Sequence, residues 1–125
     1  MGETVYTKDH EWLVIVDGVA TIGVTEFAQE QLGDVVFVEL PDIGALLTEG
    51  DEVAVIESVK AAGEINAPIN GTVVAVNEIL ADEPELLNSS PEEGGWMFKV
   101  TLDEDYDISE LMNKAEYQDY IAVNA

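Results

Sequence analysis

The stretch Asp51-Glu52-Val53-Ala54-Val55-Ile56-Glu57-Ser58-Val59-Lys60-Ala61-Ala62 decides the fold. Its first seven residues are rich in β-branched side chains and partly alternate apolar with polar positions, the pattern of a half-buried strand. Beyond Ala67-Pro68-Ile69-Asn70-Gly71, the run Gly71-Thr72-Val73-Val74-Ala75-Val76-Asn77 repeats that pattern. Lys60 is therefore expected at or near a turn between strand-like segments. It is one of four lysines in a chain without arginine. A turn keeps its ammonium in water, and the small neighbours Ala61 and Ala62 leave its stem accessible to another macromolecule. On its own the residue reads most simply as a solvated hairpin lysine, since charged side chains are mostly exposed.

A glycine turn followed by a short valine-rich strand occurs at Gly50–Ile56 and again at Gly71–Val76. Two such halves meeting at a central hairpin predict a sandwich of two small sheets with Lys60 at the tip where the halves join. Upstream, Val5 to Val16 reads as a short lead into a strand, and Asp17-Gly18 is a strong hairpin signal before Val19 to Val24. Thr25 is placed to cap a short helix with Phe27, Ala28 and Leu32 on its apolar face and Gly33 at its end. Val35 to Leu40 reads as strand, and Pro41 to Gly44 and Gly50-Asp51 read as turns. The acidic segment Leu80 to Pro91, with two prolines, reads as an irregular excursion. Gly94-Gly95 then releases a last strand, Trp96 to Leu102. From Ser109 to Ile121 a helix is expected, with Ile108, Leu111, Met112 and Ala115 as one apolar stripe. Tyr117, Tyr120 and Ile121 form a second, offset stripe, which places a break near Asn113. Gly33 and Gly71 are both read as backbone-permissive turn positions.

The expected fold class is thus mainly β with short helices, two small sheets and a C-terminal helix. At 125 residues and 47% hydrophobic composition, one domain over 1–125 can bury a proper core. With no cysteine, any redox sulfur must be imported, and the lone His10 cannot assemble an ordinary zinc site. No metal is expected. The formal charge of −23, from 27 acidic residues against four lysines, repels phosphates and anionic membranes and steers encounters with electropositive surfaces. It argues against nucleic acid as a partner. No apolar run approaches a membrane span, and the N-terminus reads as neither signal nor transit peptide, so no membrane association is expected.

Six pieces stand in register along the chain: His10-Glu11-Trp12; Ala28-Gln29 to Leu32-Gly33-Asp34; Val35 through Pro41; Glu57-Ser58-Val59-Lys60-Ala61-Ala62; Pro84-Glu85-Leu86 with Asn88; and Gly95-Trp96. Together they resemble the glycine cleavage system H-protein family, lipoyl-carrying relatives of the lipoyl and biotinyl carrier domains. The resemblance implies a hybrid sandwich-barrel, with a lipoyl-binding core over approximately 19–101 and a C-terminal helical segment over approximately 107–122. It implies lipoic acid in amide linkage on Lys60, with Glu57, Ser58, Val59, Ala61 and Ala62 as recognition flanks. It also implies a non-catalytic carrier that takes an aminomethyl group from glycine decarboxylase (P protein) to the aminomethyltransferase (T protein). The dihydrolipoyl arm is then offered to dihydrolipoamide dehydrogenase (L protein), a lipoate-attaching enzyme having loaded it first. Glu11 inherits the family's role of receiving the amine of the docked arm. The compartment would be the cytoplasm for a bacterial chain, or the mitochondrial matrix for a processed eukaryotic one.

The chain departs from the family pattern at Gly63-Glu64, Asn66, Asn70 and Glu92, and in the first helix at Phe27 and Gln31. Two other readings stay open at the level of sequence. One is a different carrier, although biotin carriers usually flank their lysine with methionines and 2-oxoacid dehydrogenase domains place aspartate before it, where this chain has Val59. The other is a lipoyl-relay or scaffold relative serving other enzymes. His10 reads best as a packing and hydrogen-bonding residue, and Trp12 and Trp96 as core or cleft wall. No nucleophile, base and orienting group stand together as an enzyme would need.

Overall fold

The computed structural model describes residues 4–92, 94–102 and 111–124. Its strands are β1 (Thr4–Tyr6), β2 (Glu11–Val16), β3 (Val19–Val24), β4 (Val35–Glu39), β5 (Leu46–Leu47), β6 (Glu52–Ser58), β7 (Ala62–Asn66), β8 (Gly71–Val76) and β9 (Phe98–Leu102). Four helical elements punctuate them: α1 (Glu26–Leu32), α2 (Ile79–Asp82), α3 (Leu86–Ser89) and α4 (Lys114–Asn124). Two antiparallel sheets result, one of six strands in the order β1-β2-β3-β9-β8-β5 and one of three in the order β4-β6-β7. The mainly β class holds, as an open pair of sheets that does not close into a barrel.

Local chemistry explains the joints. Asp17 and Gly18 both have positive φ, 50° and 77°, as the two-residue turn between β2 and β3 requires, and Val16 pairs with Val19 across it. Thr25 caps α1 by accepting the Ala28 N–H at 3.2 Å. Gly33 ends that helix at φ 77°, its N–H donating to the Gln29 carbonyl at 3.0 Å. The side chain that α1 buries is Gln29, while Ala28 and Leu32 pack partly buried against the core.

Apolar side chains from both sheets meet between them. Leu13, Ile22, Val24, Phe98 and Val100 come from the larger sheet, and Val38, Ala54, Ile56 and Ile65 from the smaller. The valine-rich repeat is divided between the layers, because β6 lies in one sheet and β8 in the other. Gly71 is not a turn residue. It opens β8 opposite Leu102, and a Cβ there would run into the Thr101 carbonyl oxygen, so close backbone approach demands glycine.

Two further expectations change. The excursion after Val76 contains α2 and α3, which fold because Leu80 and Leu87 are fully buried in the core. The C-terminal helix begins at Lys114, not Ser109. Asn113 Oδ1 accepts the Glu116 N–H at 2.8 Å and Glu116 returns a carboxylate to the Asn113 N–H at 2.9 Å, a reciprocal cap that starts the helix there. Met112, just before it, bridges Tyr6 in extended conformation. The offset stripe is the packing face: Tyr117, Tyr120 and Ile121 join Tyr6 and Trp12 in a second apolar cluster. Ile108, expected in the first stripe, lies outside the described residues.

Candidate functional site

Lys60 sits at the tip of the β6–β7 hairpin, exposed together with Val59, Ala61 and Ala62. One short side chain closes the turn. Ser58 Oγ donates to the Ala61 carbonyl at 3.0 Å and accepts the N–H groups of Lys60 and Ala61 at 3.3 and 3.1 Å, while the Ser58 N–H also reaches the Ala61 carbonyl at 2.8 Å. The hydroxyl spends its one hydrogen and both lone pairs on this turn. Against the residue just before β4, the Val59 N–H donates to the Asp34 carbonyl at 3.0 Å. The lysine is therefore held on a braced platform while its charged end stays in water.

That platform rests on the junction of α1 and β4, which Asn88 on α3 ties together. Its amide NH₂ donates to Gln29 Oε1 at 3.0 Å and to the Gly33 carbonyl at 2.8 Å, and its Oδ1 accepts the Val35 N–H at 2.8 Å. Sequence reasoning noticed Asn88 only as part of a resemblance. Gly33 carries a second duty besides capping: a Cβ there would stand 3.2 Å from Lys60 Cε and 3.3 Å from Cδ. The lysine stem runs across the space that the missing side chain leaves.

Two cavities lie beside the hairpin. One of about 210 Å³ is lined by His10, Ala28, Gln31, Leu32, Gly63 and Glu64 among others, so three of the positions that depart from the family pattern shape its wall. The other, of about 330 Å³, is lined by Thr7, Asp9, Glu11, Asn66, Pro68 and Leu111 among others. Asp9 borders both. Lys60 lines neither, and Glu11 belongs only to the larger one, so the structure does not bring Glu11 directly against the lysine turn.

Glu11 is nonetheless unusual, being only 2% exposed at the first position of β2. Thr7 Oγ1 donates to its Oε1 at 3.2 Å and accepts its N–H at 3.1 Å. Burial pushes its carboxyl up to about 7, and nearby Asp9 adds to the rise, while the Thr7 hydroxyl and a backbone bond at Asn66 oppose it. Such a group exchanges a proton near neutrality and ionises readily when a cation arrives. His10 behaves as the packing residue expected: its Nδ1 lies 2.8 Å from the Tyr117 hydroxyl, and its ring packs on Phe27 at 4.6 Å. Trp12 is buried and donates to the Pro91 carbonyl at 2.9 Å, whereas Trp96 is half-buried beneath the Lys99 ammonium, 5.1 Å from its ring. Among the described residues no group of side chains could hold a metal ion, and no helix is long and apolar enough to cross a membrane.

A family model described as glycine cleavage H-protein matches residues 4–124. The chain belongs to the glycine cleavage H-protein family. Curated relatives agree across nearly the full length. It is 52% identical over 117 residues to the glycine cleavage system H protein of Citrobacter koseri, covering 93% of this chain and 91% of the relative. Against the protein of that name from Thermotoga maritima the identity is 50% over 117 residues and 94% of each chain. The crystal structure of a glycine cleavage system H protein from Mycobacterium marinum superposes with a TM-score of 0.85 at 33% identity, covering 99% of this chain and 98% of that one. H-protein membership sets aside the biotin-carrier and 2-oxoacid dehydrogenase readings.

Proposed function

We propose that this chain, as a single carrier unit, bears lipoic acid in amide linkage on Lys60 and acts as the non-catalytic shuttle of the glycine cleavage system. It takes the aminomethyl group of glycine from glycine decarboxylase to the aminomethyltransferase, then presents its dihydrolipoyl arm to dihydrolipoamide dehydrogenase. Loading falls to a lipoate-attaching enzyme, and the work is done in the cytoplasm. The observation that carries the reading is the braced, exposed hairpin tip at Lys60. The group fits this position: a lysine held out by Ser58, between Val59 and the small Ala61, offers its Nζ for an amide bond without disturbing the core. When bound, the dithiolane supplies the redox sulfur that a chain without cysteine lacks. The chain's own contribution is placement. Glu57, Ser58, Val59, Ala61 and Ala62 present the lysine, Gly33 clears its stem, and tethering raises the effective concentration of the arm at each partner. Glu11 receives the amine of the docked arm.

The other lysines fit less well, since Lys99 is half-buried over Trp96 and Lys8 and Lys114 lie outside the hairpin. Mass spectrometry of protein from its own cell should place a lipoyl group on Lys60 alone, and Lys60→Arg should fold normally and carry nothing. Glycine exchange reconstituted with the three partner enzymes should require the loaded chain. Modification of another lysine, or full exchange by Lys60→Arg, refutes the assignment.

A further inference from the structure

Strand β4 breaks the alternation expected of a half-buried strand. Val35 and Val38 are buried, but Val36 and Phe37 between them are both exposed. A bulge is the cause: Val35 pairs with Ser58 and Phe37 with Glu57, so Val36 is the extra residue on β4. Bulges re-aim side chains and collect at sheet edges and beside functional sites. Here the bulged strand is an edge of its sheet, and its start is joined to the lysine turn through the Asp34 carbonyl and the Val59 N–H. Val36 is 55% exposed, Phe37 46% and Val59 67%. Phe37 stands opposite Glu57, hence on the same face, and that row continues to Ala62 on β7. Exposed apolar side chains thus stand on β4 and, across the Asp34–Val59 bond, on the lysine turn itself, and Asp34, Glu39 and Glu57 in the same segments are all exposed.

Contiguous exposed apolar surface inside a polar rim marks a contact site. An enzyme that forms an amide at Lys60 must cover the hairpin tip. A stable protein–protein contact takes about 800 Å² from each partner, more than a four-residue turn offers, so its footprint has to spread onto neighbouring strands. Charge decides which neighbour. A second copy of this chain would set acidic rim against acidic rim in a molecule of charge −23, whereas a partner with a basic rim gains both attraction and faster encounter.

We propose that Val36, Phe37 and Val59 form the apolar centre, and Asp34, Glu39 and Glu57 the acidic rim, of the surface that docks the enzyme acylating Lys60. The inference rests on the reading of Lys60 above and extends recognition beyond the lysine's sequence neighbours to β4. That partner presents an apolar contact surface ringed by lysine or arginine. In the reaction it serves, Nζ attacks the carbonyl of an activated acyl donor such as an acyl adenylate. The amide bond forms, the bond to the leaving group breaks, and the nitrogen gives up a proton to solvent.

The test uses the full chain, lipoic acid, ATP and a purified lipoate–protein ligase, with the initial rate of mass gain on the Lys60 peptide measured against carrier concentration. The Val36→Ser/Phe37→Ser variant should lose about tenfold in kcat/KM, mainly through KM, and Val59→Ser about threefold. Val16→Ser, an exposed apolar position in the other sheet, should match the wild type, and added salt should raise the wild-type KM. Should the double variant fail to fold by circular dichroism, Val59→Ser decides alone. Wild-type KM values in the patch variants, with the wild type still modified at Lys60, overturn the docking surface and leave the carrier reading standing. A wild type not modified at Lys60 removes both. Sedimentation showing a wild-type dimer that Val36→Ser/Phe37→Ser dissociates would hand the face to a second copy and also overturn the proposal.

Discussion

Tyr117 on α4 holds its hydroxyl 2.8 Å from Nδ1 of His10, 107 positions earlier in the chain. The same hydroxyl lies 2.7 Å from Thr25 Oγ1, which already accepts the Ala28 N–H. One direction of donation satisfies every group: Ala28 N–H to Thr25, Thr25 hydroxyl to Tyr117, and Tyr117 hydroxyl to an unprotonated His10 Nδ1. The C-terminal helix is thereby tied to the cap of α1 and to a wall of the smaller cavity. Burial lowers the His10 pKa, opposed by Asp9, which agrees with a neutral ring that accepts.

Tyr117→Phe keeps the ring stacked on Tyr6, whose centroid is 4.6 Å away, but removes the hydroxyl from this chain of donors. The buried Thr25 and the half-buried His10 each lose a hydrogen-bond partner, so urea unfolding at pH 7.5 should show a loss of about 1–2 kcal/mol. Because the folded His10 pKa lies below the unfolded value of 6.5, its contribution is present above pH 6.5 and is lost as pH falls below it. That burial effect is common to both proteins, but the Tyr117 hydroxyl can donate only to an unprotonated Nδ1, so the gap between wild type and Tyr117→Phe should narrow as His10 protonates in acid. Equal midpoints at pH 7.5 would mean that the relay contributes nothing to stability.

Glu11 runs the other way. In the unfolded chain it ionises near 4.5, but in the folded chain only near 7, so between those values the folded state holds more protons. Its effect is a stability penalty that grows as pH rises through this window and is complete above about 7. The interval corresponds to roughly 3 kcal/mol. Glu11→Gln retains an oxygen for the Thr7 hydroxyl and cannot ionise, so it should be more stable than wild type at pH 8 and indistinguishable below pH 4.5. Parallel stability curves across that range would show that burial does not hold back ionisation of Glu11.

How much of this was legible depends on the range of the forces involved. Asp17-Gly18, Thr25 with Gly33, and the break at Asn113 are local devices, each declared by residues within a few positions of one another. Lys60 at a hairpin tip was legible for the same reason. Asn88 reaches back 53 positions to Val35 and Tyr117 reaches back 107 to His10, and nothing near either residue signals its partner. The bulge at Val36 left a faint trace in Val35-Val36-Phe37-Val38, whose unbroken apolar run could not be told from a fully buried strand. The short helices α2 and α3 were hidden by proline and acid content, since burial of Leu80 and Leu87 outweighs weak local propensity.

On the proposed function, Glu11 would hold the ammonium of the docked, methylamine-loaded arm. An aminomethyl group on sulfur carries a primary ammonium and decomposes on exposure to water, so the proposed carrier role calls for a sheltered partner for the cation. Glu11 is buried at 2% exposure on the wall of a cavity of about 330 Å³, where a charge-assisted hydrogen bond contributes about 1.5–3 kcal/mol. That interaction is enough to favour the docked arm by roughly tenfold or more. The raised pKa of the free carboxyl does not oppose this, because an incoming ammonium stabilises the ionised form and draws the proton off. Both Glu11→Ala and Glu11→Gln should fold and accept the lipoyl group, yet lose methylamine from the loaded form faster than wild type. The glutamine variant isolates charge from shape, since it fills the same space beside Thr7. A loaded Glu11→Gln protein with the wild-type half-life would remove Glu11 from the docking role.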